Sequence, residues 1–131
     1  MFFHGIFLPW IRRLGAVLFW PALAVVIWGE LTPHPPKLAG PWIWDKLDHF
    51  TAYFGLMLLS SLAWGLKRSL AGLCLALVAL GGGLEIVQSL VGRDGEWGDF
   101  IANDLGILLG LAVAVLYLAA PRRLVEKPPR D

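Results

Sequence analysis

Charge is scarce in this 131-residue chain. Only 16% of its residues are Asp, Glu, Lys or Arg, 57% are apolar, and the mean hydropathy is +0.66. A soluble domain of this length needs more charge to cover its surface, so an ordinary soluble fold is excluded. A surplus of one sign is also missing. Eleven basic and ten acidic residues leave a net charge of +1, which makes no case for nucleic-acid binding. There is a single cysteine, Cys74. It cannot form an internal disulfide, and its apolar setting makes it a small buried hydrophobe. No H-E-x-x-H or other recognised catalytic or zinc signature occurs. No repeat and no long linker divides the chain, so residues 1–131 are expected to form one domain.

Long apolar runs dominate what is there. A bilayer span needs about 20 apolar residues, with a working range of about 17–25. Four segments fit: residues 14–30, 45–66, 69–91 and 98–120. The expected fold is all-α, a polytopic membrane protein built as a four-transmembrane-helix bundle. Trp10, Trp20 and Trp28 suit the interfaces of the rather short first span. Arg12 and Arg13 before an apolar run also resemble a signal peptide. However, the oily MFFHGIFLPW precedes them and no A-x-A-type cleavage site follows before the prolines, so a retained helix is expected. Residues 1–13 are expected to lie in the headgroup layer. ELTPHPPKLAGP, with four prolines, is an extended loop, and GRDGEW is a short turn.

Lysine and arginine set the orientation. With four spans, Arg12, Arg13, Lys67, Arg68, Arg122, Arg123, Lys127 and Arg130 share one side. Lys37, Lys46 and Arg93 share the other. Both termini are therefore expected in the cytoplasm.

That orientation puts the polar residues of three helices in the outward half. Asp45, His49 and Tyr53 follow i, i+4, i+8 spacing and share a helix face. Glu85 lies below Gln88, at a depth of about 10 Å at 1.5 Å per residue. Asp99 opens the last helix, and Asn103 follows one turn on. The expected arrangement is a polar cup open to the outside. Asp45, Arg93 and Asp99 would be uppermost, His49, Gln88 and Asn103 in the middle, and Glu85 with Tyr53 at the floor. Polar groups facing lipid are expensive, so these should face one another. Gly106, Gly110 and the Gly81–Gly83 run would let the helices approach closely.

DKLDHFTAYFGL resembles the D-K-x-x-H-F-x-x-Y-F-x-L signature of the VanZ-like family. EIVQSLVGRDGEWGDFIANDLGILLG resembles its second block, E-x-x-Q, then G-R, then D-x-x-x-N-x-x-G-x-x-x-G. The blocks occur in the family order and cover the second to fourth spans. Asp48 departs in residue type but lies off the Asp45–His49 face. The resemblance implies a small bacterial inner-membrane helical protein of a family named for an accessory factor in glycopeptide resistance, linked to teicoplanin. It brings no settled biochemical mechanism. The signature positions here are Asp45, Lys46, His49, Tyr53, Glu85, Gln88, Arg93, Asp99 and Asn103.

Each candidate has a plain structural role beside a functional one. His49 suits acid–base chemistry or, with Asp45, metal ligation; as a packing residue it would be an interhelical hydrogen-bond partner. Glu85 at membrane depth needs a partner or a proton, and such groups usually mark sites. Gln88 and Asn103 suit helix–helix hydrogen bonds. Arg93 and Lys46 suit an anionic phosphate, although Lys46 alone is better read as an interfacial cation. Asp99 is placed to cap its helix.

Three functions follow. The first is binding of an anionic, lipid-linked cell-envelope ligand, with Lys46, Tyr53, Gln88, Arg93 and Asn103 as contacts. The second is an enzyme acting on such a ligand, with Asp45, His49, Glu85 and Asp99 as acid–base groups or cation ligands. The third is a structural adaptor for other membrane proteins. The sequence itself assigns no cofactor, metal or oligomeric state.

Overall fold

The computed structural model describes residues 3–32, 43–65, 68–92 and 95–119. They form four helices: α1 (Phe3–Leu31), α2 (Ile43–Trp64), α3 (Arg68–Leu90) and α4 (Trp97–Ala119). No strand occurs among the described residues. Three helical stretches are long and apolar enough to cross a membrane: Pro9–Leu31, Leu70–Leu90 and Trp97–Tyr117. Their outward surfaces are apolar too, with Trp20, Val25, Leu75, Ile86, Leu105 and Leu116 all exposed. A soluble bundle hides such a surface; a multi-pass membrane protein turns it to lipid.

Two expectations change. The lead-in before Arg13 is not separate from the first span, because α1 runs unbroken through it and through Pro9 and Pro21. α2 is not one of the three span-like helices. Asp45, Lys46, Asp48 and His49 fill its first turns and lower its hydropathy.

α2 is the centre of the bundle. It packs against all three other helices, most extensively against α4, while no Cα of α1 comes within 8 Å of one in α4 among the described residues. The core collects Phe19, Tyr53, Leu56, Met57, Leu70, Leu77 and Ile107. The α2–α4 seam depends on two missing side chains. A methyl group at Gly106 would run into the Phe50 carbonyl, and one at Gly110 would sit 2.9 Å from Met57 Cβ and 3.0 Å from the Phe54 carbonyl. α1 meets α2 the same way at Gly15, where a methyl would lie 2.9 Å from the Ala63 nitrogen. Close backbone approach of this kind is how helices associate when lipid is the solvent.

The far end of α2 is closed by Gly65. Its positive φ of 71° and its N–H bond to the Ser61 carbonyl (2.8 Å) terminate the helix. Nearby, Arg12 Nε donates to the Ala63 carbonyl at 3.3 Å. A cation is favourable there, at the negative end of the helix dipole.

The seam generates a paired prediction. Gly106→Val is expected to destabilise the bundle by about 1–3 kcal/mol through overpacking. Gly72→Ala, at an exposed helical site with nothing within 4 Å, is expected to be neutral or to stabilise by up to about 1 kcal/mol. Thermal unfolding midpoints in mild detergent test both; equal midpoints for the Gly106 variant and the parent would refute the close α2–α4 contact.

Candidate functional site

The antiparallel order brings the end of α1, the start of α2, the end of α3 and the start of α4 to one end of the bundle. Eight polar residues are buried in the described structure: Glu30, His49, Ser60, Ser61, Glu85, Gln88, Asp99 and Asn103. Ser60 and Ser61 are satisfied locally, both hydroxyls donating to the Met57 carbonyl at 2.8 Å. The other six come from all four helices, and every one lies near an end at the same pole of the bundle.

His49 is the meeting point. It projects from the second turn of α2 and is 6% exposed. Its Nδ1 lies 3.2 Å from Asn103 Oδ1 on α4. The same nitrogen is 3.7 Å from Glu30 Oε1 on α1 and 4.0 Å from Glu85 Oε1 on α3. All three neighbours present oxygens to Nδ1, so the tautomer protonated at that nitrogen would donate to Asn103. In the neutral ring Nε2 then holds the lone pair. That nitrogen faces Asp99 Oδ2 at 3.9 Å, too far for a hydrogen bond.

The accessible edge of the cluster is an ion-pair bridge. Lys46 Nζ donates to Glu96 Oε2 and Asp99 Oδ1, each at 2.7 Å. The Asp99 side chain is only 3% exposed, so Lys46 compensates a carboxylate that has left water. The sequence offered Lys46 as an anion contact or a plain interfacial cation. In the fold its charge is shared between two carboxylates.

Glu85 also differs from expectation. Its Oε2 accepts the backbone N–H of Glu96 at 3.2 Å. At Gly95 an added methyl would lie 2.6 Å from the Glu85 carbonyl, so the connector lies directly against α3. Glu85 therefore stands level with His49 and ties down the approach to α4, instead of forming a floor beneath. Tyr53 does lie one turn deeper, fully buried, with its hydroxyl beside the Glu30 carboxylate. Gly81 leaves room for it: a methyl there would sit 3.1 Å from Asn103 Nδ2 and 3.3 Å from the Tyr53 ring. Gln88 Nε2 donates to the Glu30 main-chain carbonyl at 3.1 Å, joining α3 to α1.

The structure thus brings together Asp45, Lys46, His49, Tyr53, Glu85, Gln88, Asp99 and Asn103. Arg93 lies outside the described residues. The cluster is mostly enclosed, where the sequence suggested an open cup; its accessible members are Asp45, Lys46 and Glu96. Sequence reasoning missed Glu30, treating it only as the boundary of the first span. Its signal was positional. A carboxylate ending the first of four antiparallel spans must arrive at the pole where the second and fourth begin. Lys46's partner Glu96 was missed too, being read as part of a turn.

No protein-family model, no curated protein and no solved structure matches this chain.

The Lys46–Asp99 pair makes a thermodynamic prediction. Lys46→Met leaves Asp99 buried without its ammonium and is expected to cost about 3 kcal/mol. Adding Asp99→Asn to that variant is expected to restore part of the loss. A double-mutant cycle on unfolding in detergent measures the coupling, and strictly additive effects would show that the pair does not form.

Proposed function

We propose that this chain is a four-span protein of the bacterial inner membrane, of the VanZ-like kind, whose outward-facing polar site binds an anionic, lipid-linked cell-envelope ligand. The observation that carries this is the convergence of all four helices on His49 at one pole of an otherwise apolar bundle. Ionisable groups within membrane-embedded helices are costly, and where they gather they usually mark a site rather than a packing solution.

α2 is the fourth span in this proposal. Its position among α1, α3 and α4 spares it most contact with lipid, so its polar first turns do not bar it from crossing with its neighbours. The lysine and arginine asymmetry puts both termini in the cytoplasm and the His49 pole outside. The two sequence blocks that resemble the VanZ-like signature contain Asp45, Lys46, His49, Tyr53, Glu85, Gln88, Asp99 and Asn103, the residues gathered at that pole. That coincidence supports the family assignment and, with it, a role in the cell envelope that includes modulating glycopeptide (teicoplanin) susceptibility.

The ligand's headgroup would enter past Asp45, Lys46 and Glu96, with its lipid tail remaining among the exposed apolar side chains. Lys46 already serves two carboxylates, so an anionic group must share or displace them. Arg93 is the other cation that the sequence offers to it.

A second function has one observation in its favour. His49 is oriented by Asn103 and stands within 4.0 Å of carboxylate oxygens of Glu30, Glu85 and Asp99. An imidazole held between acids is equipped to move a proton, so an enzyme acting on a lipid-linked phosphate or pyrophosphate is the alternative.

Native mass spectrometry of the protein in mild detergent tests the main proposal, with His49→Gln and Glu85→Gln variants of confirmed fold beside it. A phospho- or pyrophospholipid adduct is expected on the parent and should be lost from both variants. The same lipids on all three proteins would sink the proposal and leave the cluster as helix glue. Release of a dephosphorylated or transferred product on incubation with the identified lipid would move the assignment to the enzyme.

A further inference from the structure

We infer that Asp45, His49 and Asp99 form a binding site for one divalent cation of the zinc or manganese type. The three residues each offer one ligand atom, and those atoms lie within 4.8 Å of one another. Metal–nitrogen and metal–oxygen bonds of about 2.0–2.2 Å place two ligands on one ion roughly 3–3.5 Å apart, so a 4.8 Å spread needs to close by about 1.3–1.8 Å. Asp45 supplies the freedom for that closure. It stands at the accessible edge, one helical turn above His49, while the buried His49 Nε2 and Asp99 Oδ2, 3.9 Å apart, need to approach by only about 0.5 Å.

The imidazole provides an observation independent of the carboxylates. Nδ1 is taken up by the 3.2 Å contact with Asn103 Oδ1, while Nε2 has no hydrogen bond among the described residues, on a side chain that is 6% exposed. Nε2 stands 3.9 Å from Asp99 Oδ2, too far for a hydrogen bond. A cation between the two atoms would give both a partner. Metal-binding histidines characteristically donate their other ring N–H to a fixed oxygen, which sets the tautomer and the ring plane. Asn103, fully buried and 3.2 Å from Nδ1, is placed to accept that proton here.

Lys46 does not occupy this position. It binds the other oxygen of Asp99 and is held from the opposite side by Glu96. Asp99 is therefore divided, with Oδ1 serving the ammonium and Oδ2 facing His49. Among the described residues, Lys46 bonds Asp99 and Glu96, and no hydrogen bond from it reaches Asp45. An imidazole nitrogen with two carboxylates selects zinc, manganese or a similar ion over magnesium or calcium, which prefer sites built wholly from oxygen.

Three protein ligands leave at least one coordination position open. An anionic phosphate oxygen suits that position, so the cation would supply the positive charge that Lys46 cannot give freely. This last step rests on the envelope-ligand proposal above; the cation site itself does not.

The test uses the full chain in mild detergent, stripped with EDTA and re-equilibrated with Zn²⁺, Mn²⁺ or Mg²⁺ alone. Elemental analysis and thermal unfolding give the readouts. Saturable binding of about one zinc or manganese ion per chain, with a raised unfolding midpoint, is expected. His49→Gln and Asp45→Asn should each weaken binding about tenfold or more. Asp45→Asn lies at the accessible edge and is expected to keep the parent's helicity and elution volume. Absence of saturable binding, binding untouched by both substitutions, or a preference for magnesium would each overturn the inference. A lipid adduct that survives EDTA on a protein that binds no metal would overturn the cation site and leave the ligand proposal standing. Saturable metal binding with no lipid adduct would support the cation site and count against the ligand proposal.

Discussion

The arrangement depends on compensating charge that has been taken out of water. An ionised carboxylate placed in an apolar medium costs several kcal/mol even after relaxation, and Asp99 and Glu85 meet that cost with Lys46 and the Glu96 N–H beside the His49 ring. The helices bring the polar groups of this pole together, while Ser60 and Ser61 are satisfied separately by the Met57 carbonyl. Glu30, His49, Glu85, Asp99 and Asn103 come from four different segments, yet each lies within 4.0 Å of another through the His49 ring. A helix that slid by one turn would carry its polar residue about 5 Å from the others and strand it in hydrocarbon. The cluster therefore sets the register of all four helices, and the apolar contacts below it follow.

Packing and polarity are coupled through α2. Its residues supply the ring at the centre of the cluster and, on the same helix, the backbone against which Gly106 and Gly110 close. α4 can hold Asn103 at 3.2 Å from His49 only because its next turns lie on α2 without side chains between them. On the other side, Gly81 opens the space that the Tyr53 ring and the Asn103 amide occupy. Small residues on α3 and α4 thus act at a distance on the polar site. They determine how deeply the large side chains of α2 can sit, and so which oxygens the imidazole meets.

Much of this was legible in the sequence, for definite reasons. Helical periodicity puts Asp45, His49 and Tyr53 on one face, and an antiparallel order of spans puts Gln88, Asp99 and Asn103 opposite them. Those are local and topological facts. What could not be read are contacts that depend on how far a connector folds back. Glu85 was expected a full 10 Å down, as a floor. The connector instead lies against α3 at Gly95, and Glu96 places its N–H on the Glu85 carboxylate. Lys46 looked like a free cation because its partner Glu96 sits 50 residues away in a segment with turn chemistry. Glu30 was hidden for a different reason. At the end of an apolar run a carboxylate serves equally well as a boundary marker, and only the approach of α1 to α2 separates that role from burial beside His49.

The placement of Lys46 limits the chemistry of the whole pole. A lysine free at the rim would make the site a simple anion receptor, with attraction falling off under salt. Lys46 held at 2.7 Å by both Glu96 and Asp99 is a local neutraliser, and any anion that approaches it must compete with two carboxylates already in contact. Under the proposed function, an anionic headgroup would have to rearrange this bridge or arrive with positive charge. The bridge also joins the first turn of α2 to the start of α4 and the connector before it. Breaking it would loosen the segment that carries the Glu96 N–H and so release Glu85. The accessible edge and the settings of Glu85 and Asp99 around His49 are in this way parts of one linked set of contacts, with Lys46 at the point where they meet solvent.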